Sequence, residues 1–165
     1  MYKVQNKTIK ASKVQGDLTY ERIKTSGDWP KLKAKAAATR HLLKFAAKLA
    51  STYNSGNVHD KRRLAVIELL VEFYNILEHG APSLTPVEQS HIAFVGKTLL
   101  QLYTSLAKQA VAANKRFWKL TPKFHIFIHL VELQSKIANP NTFWAYADDD
   151  LQRHLFVRLH HRVRR

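Results

Sequence analysis

The chain has 165 residues, 45% of them hydrophobic, which is enough for one domain with a buried core and excludes wholesale disorder. Its 27 Lys and Arg against 12 Asp and Glu give a formal charge of +15 and a pI near 10.2, so the expected partner is a polyanion, nucleic acid ahead of an anionic membrane surface. The absence of cysteine excludes a disulfide framework and every Cys-based zinc finger, and no stretch has the apolar length of a membrane span.

The opening "MYKVQNKTIKASKVQGD" lacks the apolar core of a secretory signal. It is basic and poor in acids, as a transit sequence is, but has no Arg before Arg22 and little amphipathic period, so the compartment stays open among intracellular, nuclear and organellar. Charge is uneven along the chain. Residues 1–63 carry 15 Lys/Arg and 4 acids, residues 64–114 carry 2 and 4, and residues 115–165 carry 10 and 4. The middle reads as core and the two ends as basic surface.

Residues 1–27, with scattered lysines and few large apolar side chains, read as an extended basic arm, and residues 28–165 as a single helical domain. At "GDWPKLKAK" Asp28 can cap a helix with Pro30 in its first turn. Leu42, Phe45, Ala46, Leu49 and Tyr53 then recur at helical spacing, opposite Lys31, Lys35, Lys44 and Lys48, which predicts a first amphipathic helix over about 30–53. "NSGN" breaks it, and a second helix is expected from a cap at Asp60 to a stop at Gly80. Leu64, Ile67, Leu70, Val71, Tyr74 and Leu77 form its stripe, and Val66, Leu69, Phe73 and Ile76 extend the apolar surface nearly all round, as in a central buried helix.

Thr85, Pro86 and Glu88 spell a capping box with proline at the first helical position, and the helix they open continues to about Asn114. After the basic aromatic joint "NKRFWKL", Thr121 and Pro122 open another helix to about Ile137, closed by "ANPN". "TFWAYA" reads equally as a strap or a turn of helix. Asp148 can cap a last helix, 149 to about 163, ending in "RLHHRVRR". The expected fold is therefore all-α, an irregular bundle of about five helices with an extended basic N-terminal arm.

Two constellations could carry chemistry. His125 and His129 share a helix face with Glu132 nearby, the donor complement of a zinc or iron site; the plain alternative is a polar stripe at a helix margin. Asp148, Asp149 and Asp150 could hold magnesium for phosphoryl chemistry, or simply favour a helix N-terminus, with Asp149–Arg153 and Asp150–His154 as one-turn pairs. There is no Gly-rich phosphate loop, nucleophile elbow or Cys nucleophile. The basic elements point to phosphates and bases. Lys115, Arg116, Lys119 and Lys123 interleave with Phe117, Trp118 and Phe124, and Arg158, Arg162, Arg164 and Arg165 with His160 and His161 form a cationic end. The plain alternative is that Phe117 and Trp118 plug the core while the lysines stay solvated.

From about Leu64 onward, "FWKLTPKFHIFIHL" and "NPNTFWAYADDDL" resemble the helical C-terminal portion of mobile-element open reading frames from protists. Pro122, Lys123, His125, His129, Asn139, Pro140 and Asp148 to Asp150 carry the likeness. It implies a DNA- or RNA-associated accessory domain. A ribonuclease H type transposase needs a mixed sheet with two upstream aspartates, and neither the strands nor suitable acids are visible here.

The reading from sequence is thus a non-catalytic nucleic-acid-binding helical domain without a cofactor, an accessory domain of a mobile-element protein or a structural subunit of a ribonucleoprotein, with other proteins of a larger assembly as further partners and no membrane. The alternatives are a metal-dependent nuclease or transposase-like fragment using zinc or magnesium at His125, His129 and Asp148 to Asp150, and a helical scaffold that docks protein.

Overall fold

The computed structural model describes residues 36–143, which form α1 (Ala36–His41), α2 (Leu43–Thr52), α3 (Val58–His79), α4 (Pro86–Ala112), α5 (Lys123–Glu132) and two 3₁₀ turns, Gln134–Lys136 and Pro140–Phe143. No strand occurs among the described residues. The arm 1–27, the start of the first helix with Asp28, Pro30, Lys31 and Lys35, and the last helix with Asp148 to Asp150 and the arginine-rich end lie outside them.

Local signals set most of the boundaries. At α4, Thr85 Oγ1 accepts from the Glu88 backbone N–H at 3.3 Å and the Glu88 carboxylate accepts from the Thr85 N–H at 2.8 Å, so the capping box closes as its spacing predicts. The same helix ends in a Schellman arrangement. Asn114 takes a positive φ of 52°, its N–H bonds to Val111 O, and Lys115 N–H bonds to Ala110 O. Asparagine tolerates that left-handed position better than most residues with a Cβ.

The start of α3 differs from expectation. Asn57 is the cap, accepting from Asp60 N–H at 2.7 Å, while Asp60 lies one turn inside the helix. Its carboxylate folds back to accept from Ser55 Oγ at 2.6 Å and Ser55 N–H at 3.1 Å and meets Arg63 at 3.2 Å. A carboxylate in a first helical turn also faces the positive end of the helix dipole. The cap was misplaced because Asn57 and Asp60 are both good capping residues, and only the loop geometry decides between them.

α4 runs antiparallel to both α3 and α5. Glu72 on α3 pairs with His91 on α4 at 2.8 Å; on α4 and α5, Tyr103 stacks against Phe124 while Lys97 pairs with Glu132 at 2.7 Å. The core gathers Phe73, Leu77, Leu84, Ile92, Val95 and Val131, with Leu69, Leu70, Tyr74, Ile76, Phe127 and Leu130 packed against it. On α3 the deepest side chains, Val66, Phe73 and Leu77, come largely from the flank of the expected stripe rather than its centre. With apolar residues nearly all round, periodicity could not fix which face turns inward.

Two expected helices change length or character. The first is interrupted at Leu42, whose N–H bonds to Thr39 O in 3₁₀ fashion, and its far end turns outward: Ala50 is buried while Tyr53 is 71% exposed. The helix expected to reach Ile137 stops at Glu132, because Leu133 leaves helical geometry with φ −113° and the chain tightens into a 3₁₀ turn. Leu133 and Ile137 continue the apolar period yet are exposed. Thr121 does not cap α5, which begins after Pro122 with no side-chain cap.

"ANPN" does more than terminate a helix. Asn139 is 1% exposed, and its Nδ2 sits within 3.0–3.2 Å of the carbonyl oxygens of Leu77, Gly80 and Ala81, while its N–H bonds to Pro82 O. Asn141 adds a second donor to Leu77 O at 3.0 Å. The end of α3, whose last carbonyls lack partners within the helix, is thus closed by a segment far along the chain.

Candidate nucleic-acid interface

The antiparallel order brings the N-terminus of α3, the C-terminus of α4 and the α4–α5 connection to one end of the bundle. His59 packs edge-on to Trp118 with ring centroids 6.5 Å apart, and Arg63 donates to Tyr53 O at 3.0 Å, joining the end of α2 to the same region. Within residues 53–63 and 106–125, Lys61, Arg62, Arg63, Lys108, Lys115, Arg116, Lys119 and Lys123 stand against a single acid, Asp60. That acid is buried and already engaged by Ser55 and Arg63.

Tyr103 holds the connection in place. Its ring meets Trp118 at 5.3 Å and Phe124 at 4.8 Å, and its hydroxyl donates to Lys119 O at 3.1 Å. Burial pushes the Tyr103 phenol above its ordinary pKa, which keeps this donor protonated. Trp118 takes a positive φ of 59°, a conformation that costs a bulky residue energy and is held here by ring packing on both sides. The consequence is a division of labour along "KRFWKL". Trp118 turns inward, while Phe117 (47% exposed) and Leu120 lie outward among Lys115, Lys119 and Lys123, which are all exposed.

Of the residues singled out from sequence, Lys115, Arg116, Lys119 and Lys123 are all exposed along the α4–α5 connection and the start of α5. Trp118 has its ring committed to Tyr103 and His59, so Phe117 is the better placed to meet a base. Lys48 is exposed on α2; Lys44 lines a shallow open groove together with Glu68 and Glu72. Lys31, Lys35, Arg158, Arg162, Arg164 and Arg165 lie outside the described residues. Sequence reasoning missed Lys61, Arg62 and Lys108, which lie near the same end of the bundle. The run "HDKRR" was a visible signal, but joining it to residues 115–123 requires the antiparallel order of the helices.

The histidine constellation divides. His125 and His129 are exposed and their Nε2 atoms lie 2.9 Å apart, the rings nearly perpendicular at 85°. Glu132 does not join them; it pairs with Lys97 on α4, whose ammonium holds its carboxyl below the ordinary range. No group of three or more potential metal-binding side chains comes together among the described residues. Nor is any helix there long and apolar enough to cross a membrane. Comparisons with protein-family models, curated proteins and solved structures find no match to this chain, so its functional reading rests on geometry and charge.

Proposed function

We propose that the chain is a nucleic-acid-binding helical domain that grips phosphates with the basic end of its bundle, acting as an accessory module in the setting of the mobile-element likeness or of a ribonucleoprotein. The observation that carries this reading is the basic composition of the segments that meet at one end, Lys61, Arg62, Lys108, Lys115, Lys119 and Lys123, with Asp60, the one acid within residues 53–63 and 106–125, neutralised internally. Exposed Phe117 and Tyr53 supply ring faces beside those charges, the composition that stacks unpaired bases while cations follow the backbone. Phosphate contacts and ring stacking carry no base-edge code, so the binding proposed is electrostatic and sequence-tolerant.

The test is a titration of the full chain against single-stranded RNA, duplex RNA and duplex DNA at several salt concentrations. Affinity falls linearly on a logarithmic salt scale, and reversing both Lys115→Glu and Lys119→Glu lowers the slope by about 1.4 on single strands, at roughly 0.7 per phosphate contact. Binding that is absent, or indifferent to salt and to these substitutions, refutes the proposal. In that case a protein-docking scaffold becomes the better reading, favoured by the exposed apolar residues Ile126, Leu133 and Ile137 along one side of α5 and its extension.

A further inference from the structure

The pair His125 and His129 is absorbed by none of the foregoing. Its two Nε2 atoms face one another across a single turn of α5, 2.9 Å apart, and both side chains are open to solvent. Two donors at that distance have a defined bite. With metal–nitrogen bonds of about 2.0 Å, two ligands at a right angle stand about 2.8 Å apart, whereas two at the tetrahedral angle stand about 3.3 Å apart. The observed separation matches the right-angle case. Tetragonal nitrogen coordination with open positions is the habit of Cu(II) and Ni(II), while zinc favours a tetrahedral set supplied more fully by protein.

We propose that His125 and His129 form a two-nitrogen chelate for a tetragonal divalent transition ion, Cu(II) or Ni(II), with water in the remaining positions. Glu132 is not part of the set, since Lys97 holds it at 2.7 Å. The chelate spans one turn of a helix that needs support: α5 is 10 residues long and starts without a side-chain cap. An ion bridging positions four apart fixes that turn, and α5 contributes Val131, Phe127 and Leu130 to the core. Binding on α5 therefore stabilises the whole bundle, by the linkage that holds for any ligand of the folded state. The competing account of the 2.9 Å contact is an ordinary N–H···N hydrogen bond between the two imidazoles, which predicts no such response.

Titrating the full chain with Cu(II) chloride, followed by electron paramagnetic resonance, separates the two accounts. The expected result is an axial signal with nitrogen splitting at one equivalent, and about tenfold or more weaker binding in His125→Gln and in His129→Gln, because each retains only one arm of the chelate. Melting temperature provides the second readout: one equivalent of Ni(II) raises it in the unaltered chain and in Glu132→Gln but in neither histidine variant. Both histidines are exposed on a helix and glutamine is a good helix former, so circular dichroism should show the variants folded. Equal affinity in all four proteins overturns the proposal, assigning the copper to other histidines. Loss of the strong site on Glu132→Gln overturns it as well, by making the carboxylate a ligand.

Discussion

At the scale of single residues, two glycines are fixed by what stands beside them. A Cβ on Gly96 would meet Val131 Cγ1 at 2.7 Å and Val131 Cβ at 3.1 Å, so α4 and α5 approach as closely as they do only because position 96 has no side chain. Gly96→Ala should cost about 1–3 kcal/mol in urea unfolding despite alanine's better helix propensity. Combined with Val131→Ala it should cost less than the sum of the two single changes, since the second substitution vacates the space the first invades. Gly80 is confined similarly: its φ is −70°, open to any residue, but a Cβ would fall 2.7 Å from Leu84 Cδ2 and 2.8 Å from Ile76 O. The expectation of a helix-ending glycine was right about place and wrong about cause.

Asn139 shows the same logic with polar groups. Replacing it by alanine withdraws the donor shared by three carbonyls and should cost about 3 kcal/mol, read as a lowered unfolding midpoint. Asn139→Asp removes the donors and adds a charge to a buried site, and is expected to be worse. Asp60 supplies a dependence on pH. Hydrogen bonds from the Ser55 hydroxyl and backbone N–H, with His59 and Arg63 alongside, hold its carboxyl at about 2 against a usual 3.8. The folded-state value is depressed, so this contribution is nearly complete above about pH 4 and is lost as the pH falls through about 2, below which folded and unfolded forms are both protonated. Stability measured against pH in Asp60→Asn should lack that part of the acid limb.

At the scale of elements, the helix whose limits could be read in the sequence is the one whose ends are held by short-range bonds. Thr85, Pro86 and Glu88 state the start of α4 within four residues, and Thr85→Ala should destabilise by about 1 kcal/mol with the rest of the fold intact, as measured by thermal melting. Asn114, at the other end, should accept glycine at no cost, while Asn114→Val should cost about 1 kcal/mol for forcing a branched side chain into the left-handed region. α5 was overextended for the opposite reason. Leu130, Leu133 and Ile137 keep the apolar rhythm of a buried helix, but Leu133 and Ile137 are 53% and 80% exposed and the backbone has already tightened. Periodicity records an apolar face; it does not record whether anything covers it.

At the scale of the molecule, three of the acids among the described residues join helices. Glu78 meets Arg40, Glu72 meets His91 and Glu132 meets Lys97, each pair linking different elements, while Asp60 and Glu88 serve helix starts. Among the described residues Lys115, Lys119 and Lys123 stay exposed along the α4–α5 connection and the start of α5. Lysines 115, 119 and 123 were legible as basic surface because they lie within nine residues of one another; the approach of the "HDKRR" segment to the same end was not, because it is made by the packing of α3 against α4. In the binding titration, Lys61→Glu and Arg62→Glu together should therefore weaken affinity as much as the pair at 115 and 119, and Lys48→Glu on α2 should weaken it less.

The contact between Asn139 and Leu77 spans 62 positions in the chain. A ribosome releasing this protein exposes α3, its turn and α4 well before residue 139 appears, and until then the carbonyls of Leu77, Gly80 and Ala81 have no Asn139 to answer them. Native closure of the α3–α4 turn is consequently a late event in synthesis. Chains arrested so that α4 has emerged while residue 139 is still inside the exit tunnel should be cut readily by protease near residues 77–85, and protection there should appear only once residues 139–142 have cleared the tunnel.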